Sequence, residues 1–135
     1  IEIEFKNNNE LFRFGIMTFD SSSRNSIYSY AHYPIYLEWD LKINSDLSDS
    51  LLTSINWTLE TIKTIKKKLD AAGCIRIESG NPLIIGFQRS GLGMYSYQIY
   101  ETVISDSLKS EYKKNFGWHF FNDTIAWKYD GGAID

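Results

Sequence analysis

Few side chains in this sequence could do chemistry. His32 and His119 are the only histidines among 135 residues, and Cys74 is the only cysteine. Either histidine could serve as a general base or pair with a carboxylate, the pair to weigh being His119 with Asp123. His119 sits in Trp118-His119-Phe120-Phe121, an aromatic strand pattern in which a packed imidazole is the plainer reading. Two histidines without a spaced carboxylate motif make a poor metal site. A lone cysteine excludes the zinc sites built from four cysteines, or from paired cysteines and histidines, and any internal disulfide. Cys74, beside Ile75, reads as a core thiol.

The segment Gly86-Phe87-Gln88-Arg89-Ser90-Gly91-Leu92-Gly93 has the look of a phosphate loop and fails its tests. A P-loop needs Lys and Ser or Thr after its second glycine, and Leu92 follows Gly91. A dinucleotide turn needs a third glycine where Ser96 stands, and the segment that follows is strand-like, without a helix N-terminus to hold a phosphate. Ser90 is flanked at two residues by Gln88 and Leu92, so it is no nucleophile elbow. A glycine-rich turn or bulge between strands is expected here. No enzymatic constellation emerges, and no cofactor or metal is expected.

Aromatic residues make up 16% of the chain, too many for a disordered one. Tyr28, Tyr30, Tyr33 and Tyr36 form one group, and Tyr95, Tyr97 and Tyr100 another. Stacking of single-stranded bases would need interleaved Lys or Arg, which these runs lack. Tyrosines on a half-exposed sheet or at a protein interface fit better. The net charge of −3 argues against a dedicated nucleic-acid binder. Charge is also segregated. From Glu38 to Glu60 five acids oppose one base, and from Thr61 to Arg76 five bases oppose one acid. Helix-dipole matching on a solvated face accounts for this most simply. The functional alternative is an acidic patch that steers a basic protein partner.

The elements that must position these residues follow from periodicity. Ile1–Phe5 alternates as a half-buried strand, and Asn7-Asn8-Asn9 breaks it. Leu11–Phe19 is a second strand, followed by a polar loop over Asp20–Ser26. Ile35–Ile43 alternates so that Ile35, Leu37, Trp39, Leu41 and Ile43 share one face. Leu52, Ile55, Leu59, Ile62 and Leu69 share the face of one long helix, from about Leu47 to Ala72. Asp46 or Ser48 would cap its start, and Gly73 suits a left-handed end. Strands follow at Cys74–Glu78, Leu83–Phe87 and Met94–Ile104, the last with Tyr95, Tyr97 and Ile99 on one side. Ser105–Asn115 reads as one or two helical turns, and Trp118–Tyr129 as two short strands about a turn at Asn122-Asp123. The expectation is a single α+β domain: a mainly antiparallel sheet with one long amphipathic helix packed on one face. No run of about eighteen apolar residues or basic-then-apolar leader is recognisable, so neither membrane span nor membrane partner is expected.

Two stretches carry a family resemblance. Ser90-Gly91-Leu92-Gly93-Met94-Tyr95-Ser96-Tyr97 resembles an SGxGMYSY segment, and Asn122-Asp123 with Trp127-Lys128-Tyr129-Asp130-Gly131-Gly132-Ala133-Ile134 resembles an ND…EYxGGAIG ending. Both are similar to small bacterial immunity proteins of contact-dependent growth inhibition and related polymorphic toxin systems. The match covers roughly the last third of the chain and departs at Lys128 and Asp135. The resemblance implies a cytoplasmic protein without enzyme activity. Such a protein binds the C-terminal toxin domain of a cognate effector, often a nuclease, and occludes its active site or substrate surface. Nuclease domains are basic because they hold a phosphate backbone, so an acidic inhibitor fits. The expected partner-binding residues are Glu38, Asp40, Asp46 and Asp49, with Asp123 and Asp130 as a second patch. The alternative is a small carbohydrate- or nucleobase-binding module using the tyrosine clusters, and the same aromatic surface could join two copies in a homodimer.

Overall fold

The computed structural model describes residues 1–6, 11–19, 32–114 and 117–130. Eight strands form one sheet: β1 (Glu2–Phe5), β2 (Leu11–Phe19), β3 (His32–Lys42), β4 (Arg76–Glu78), β5 (Leu83–Ser90), β6 (Gly93–Ile99), β7 (Trp118–Phe120) and β8 (Ile125–Asp130). Their spatial order is β3-β2-β1-β4-β5-β6-β8-β7, and every neighbouring pair is antiparallel. The expected α+β class and mainly antiparallel sheet hold, and the strands are as many as the strand patterns implied. The expected loop at Asp20–Ser26, the break at Asn7–Asn9, Tyr28, Tyr30 and the closing Gly131–Ile134 lie outside the described residues.

Among the described residues two helices replace the single long one, and a third forms where one or two helical turns are expected. They are α1 (Asp46–Ser54), α2 (Leu59–Ala71) and α3 (Asp106–Lys113). The expected helix over 47–72 breaks at Asn56, whose φ of 58° is left-handed. There the Trp57 amide donates to the Leu52 carbonyl at 2.8 Å and the Asn56 amide to Thr53 at 3.0 Å, a Schellman closure. Thr58 then starts α2 with a reciprocal capping box to Thr61. The apolar spacing hid this break because Leu52 and Ile62, on either side of it, are both fully buried. α2 ends in the same way at Gly73, φ 68°, as its sequence position implies. The cap of α1 is Ser45, not Asp46 or Ser48.

Register assigns the two faces of the sheet, because directly opposed residues point the same way. Ile3 faces Phe14, Phe5 faces Phe12, and Ile77 lies between Ile3 and Ile85. These side chains, with Leu41, Leu52, Ile62 and Leu69, make the main core, so α1 and α2 cover this face. The opposite face carries Glu2, Glu4, Arg13, Arg76 and Glu78. Farther along, that same face presents Ser96, Ala126 and Phe120. There a second core forms around Tyr112 of α3, Tyr100 and Ile104, with Trp118 stacked on Tyr112 at 4.6 Å. Helices thus pack on both faces of the sheet, at opposite ends.

The β3 face expected from alternation is split. Phe12 opposes Leu41 but Phe14 opposes Glu38, so Trp39 and Asp40 together face Arg13 in a β-bulge. Leu41 and Ile43 stay with the main core. Trp39 turns to the charged face and stands 56% exposed, with the Arg13 guanidinium 4.3 Å from its ring centre.

Candidate functional site

The acids expected to meet a partner fall into two groups at opposite ends of the sheet. Glu38 and Asp40 lie on β3, an outermost strand, and α1 follows it directly through Asn44, φ 64°, and Ser45. Asp46 and Asp49 occupy the first turn of α1 and are exposed, and neither carboxylate enters an ion pair among the described residues. Glu38 accepts the Tyr36 hydroxyl at 2.6 Å, and this bond pushes the Tyr36 pKa above its ordinary value. Asp49 also lines a cleft of about 220 Å³ at the α1–α2 break, with Leu52, Trp57 and Leu59. Carboxylate above and apolar ring below is the chemistry that seats a long basic side chain.

Asp123 and Asp130 are not part of this edge. Asp123 takes the Lys109 ammonium, and Asp130 pairs with Lys128 at 2.7 Å. Six strand spacings separate β3 from β8, about 29 Å. Asp123 and His119 do not form the pair that a small enzyme would need. The His119 ring lies 5.5 Å from Trp127 on the face away from α3, while the Asp123 carboxylate meets Lys109 of α3. Among the described residues no group of three or more His, Cys, Asp or Glu is placed to hold a metal ion.

The face of the sheet carrying His119 is aromatic. Tyr97 opposes Trp127 and Tyr95 opposes Tyr129, so the expected alignment of Tyr95, Tyr97 and Ile99 is realised. Phe87 stands 4.9 Å from Tyr97, and Tyr95 stands 4.6 Å from Tyr129. These rings are half-buried against one another, and Phe121 at the end of the row is 58% exposed.

Strand alternation alone reads the charged face as the solvent side. It is instead a paired ladder in which Glu2 is fully buried, with Arg13 at 3.0 Å and Arg76 at 3.2 Å. Arg76 also reaches Glu78 at 2.9 Å, and Arg89 forks onto Glu4. Burial acts to raise the Glu4 pKa, but the Arg89 bond and the charges of Arg89, Arg76 and Arg13 outweigh it and hold the carboxyl below its ordinary value. Burial similarly lowers the Arg13 pKa against the pull of Glu2. Alternation of these charges with Ile1, Ile3 and Phe5, and again with Ile75 and Ile77, marks two-faced strands, while the pairing across strands comes only from their register.

The glycine-rich segment is structural, as expected. Gly91 and Leu92 turn between β5 and β6, and a register shift at Phe87 marks a bulge. Gly93 admits the end of β8: a Cβ there would lie 2.6 Å from the Asp130 carbonyl and 2.8 Å from the Tyr129 hydroxyl. Cys74 is buried, which raises its thiol pKa. No helix among the described residues is long and apolar enough to cross a membrane. Comparison with protein-family models, curated proteins and solved structures returned no match.

Proposed function

We propose that this protein is an immunity protein of the contact-dependent growth-inhibition kind, which neutralises a cognate toxin domain, of nuclease type, by covering its active site or substrate surface. The observation that carries this reading is the β3 edge. Asp40, Asp46 and Asp49 are exposed there, Glu38 lies on the same strand, and the Asp49–Trp57 cleft lies beside them. A basic nucleic-acid-binding surface is complementary to that edge in charge. The cleft supplies an anchor for one Lys or Arg. Asp123 and Asp130, already paired with lysines, are left outside the primary contact. The same acids also blunt an outermost strand against edge-to-edge pairing, a role compatible with partner binding.

The test is calorimetry of the intact protein against the C-terminal domain of the protein encoded immediately upstream, at two salt concentrations. Binding at about nanomolar Kd or tighter is expected, weakening as salt rises. Asp46→Lys with Asp49→Lys weakens it and flattens the salt dependence, because the removed attraction is the one that salt screens. Tight binding indifferent to salt and to these substitutions moves the contact to the aromatic face. No binding to a folded partner removes the immunity reading. A second reading, a carbohydrate- or nucleobase-binding module, is favoured only by the Tyr95–Tyr97–Trp127–Tyr129 ring row. It requires small-ligand binding abolished by Trp127→Ala.

A further inference from the structure

A cavity of about 750 Å³ opens where β1 stops at Phe5 and the β5–β6 hairpin runs on. β4 begins only at Arg76, opposite Gly86, so the Phe87–Ser90 end of β5 lacks a β4 partner. Arg89 reaches back across this gap to Glu4. The volume lies within the range of small-molecule sites, about 300–1,000 Å³. Its lining holds Lys6, Arg13 and Arg89 against Glu4, while Glu2 beneath answers Arg13.

The two arginines are differently engaged. Arg89 binds both Glu4 oxygens and gives Nη1 to the Leu92 carbonyl at 3.1 Å, so it cancels the one acid in the cavity. The Arg13 guanidinium sits under the Trp39 ring with its Nε 3.0 Å from a Glu2 carboxylate oxygen, an ion-pair contact without hydrogen-bond geometry. Among the described residues no acceptor meets its two Nη groups. A guanidinium fixed in this way presents parallel N–H donors suited to a carboxylate or phosphate. Trp39 keeps exposed ring surface beside it. An exposed indole ring stacked beside a guanidinium suits a flat apolar body with an anionic head.

We propose that this cavity binds a small planar molecule carrying one oxyanion head, with the head on Arg13 and the ring against Trp39. The site is independent of toxin binding, and its test needs no protein partner. The intact protein is titrated calorimetrically with adenosine monophosphate and with indole-3-acetate, which separate phosphate from carboxylate heads. Adenosine and inorganic phosphate serve as the headless and bodiless controls. Saturable one-to-one binding of at least one headed probe is expected, about tenfold or more tighter than either control. Trp39→Ala removes an exposed ring, and Arg13→Lys keeps a charge for Glu2 while losing the fork. Each weakens binding by about tenfold, with the urea midpoint of each variant reporting its fold. The proposal is overturned if neither headed probe saturates at millimolar concentration. It is equally overturned if adenosine binds as tightly as the headed probes, or if both variants leave affinity unchanged.

Discussion

Glu2 offers the sharpest test of the physical account. Its side chain is fully buried on the charged face, with Arg13 at 3.0 Å and Arg76 at 3.2 Å. Three carboxylates (Glu2, Glu4, Glu78) and three guanidinia (Arg13, Arg76, Arg89) balance across this ladder. Glu2→Gln keeps the shape and removes only the charge, so no cavity contributes to its effect. Arg76 retains Glu78 at 2.9 Å, whereas Arg13 is left with the Trp39 ring. Removing one member of a buried pair costs about 3–5 kcal/mol, and the retained Glu78 contact sets the expectation at the lower end, about 3 kcal/mol.

That is a large part of a domain stability of about 5–15 kcal/mol. In urea, with a slope near 1.5 kcal/mol per M, the midpoint falls by about 2 M at unchanged slope. Replacing both partners, Glu2→Leu with Arg13→Met, leaves the remaining ladder balanced and recovers most of the loss, because a paired ion and an apolar pair of similar size are of comparable stability. A Glu2→Gln loss under about 1 kcal/mol, the value of a solvated surface pair, refutes the claim that this face is desolvated. A double variant as unstable as the sum of its singles refutes the claim that the two charges answer each other.

Three further outcomes follow from the geometry. Gly93→Ala drives a Cβ into the Asp130 carbonyl, so thermal melting shows a loss of about 1–3 kcal/mol; Gly91→Ala, with φ +62° and open space around it, loses about 1–2 kcal/mol, from backbone strain alone. Glu4 has its folded-state pKa depressed by Arg89 and the neighbouring arginines against its burial, so its stabilisation is complete above the ordinary carboxylate value of 4.5 and is lost as pH falls through the lowered one. Glu4→Gln therefore flattens the acid limb of a stability-against-pH curve below about pH 4.5, and an unchanged acid limb counts against the assignment. Cys74, buried and with its thiol pKa raised by burial, reacts slowly with iodoacetamide at neutral pH and fast once urea unfolds the chain.

Local pattern made the strand content and the α+β class legible, and it failed where one residue changed a phase. Alternation through Ile35–Ile43 is real, but a single extra residue opposite Arg13 sends Leu37 and Trp39 to one face and Leu41 to the other. Nothing in the side-chain pattern marks the bulge, because Trp39 is as apolar as the core residue it imitates. The helix break failed for a similar reason. Leu52 and Leu59 keep their spacing across it, and only Asn56 and the Thr58–Thr61 pair signal the Schellman closure and the new cap. Asp46, read from the sequence as a candidate cap, is instead a first-turn acid of α1 beside Asp49, behind the Ser45 cap. It could not tell that Asp123 and Asp130 would be taken by Lys109 and Lys128, one of them on a different element.

The least legible feature was the charged face, and it changes the functional argument most. Strand alternation assigns Glu2, Glu4, Arg13 and Arg76 to water, whereas antiparallel register across β2, β1 and β4 stacks them into a ladder. Asp40, Asp46 and Asp49 stay exposed and outside any ion pair among the described residues, as do Glu101 and Asp106, and the grouping of three at the β3 edge is why the proposed partner surface is put there. By the same register the bulge sets Trp39 above Arg13 at the mouth of the cavity. One irregularity in β3 thus separates an acidic edge suited to a basic protein from an arginine-lined cavity suited to a small anion. Deleting Asp40 removes the extra residue and pairs Trp39 directly with Arg13, still on the charged face. Anion binding at Arg13 is therefore expected to survive the deletion, and its loss, in a variant whose urea midpoint is unchanged, counts against a site built from Trp39 and Arg13.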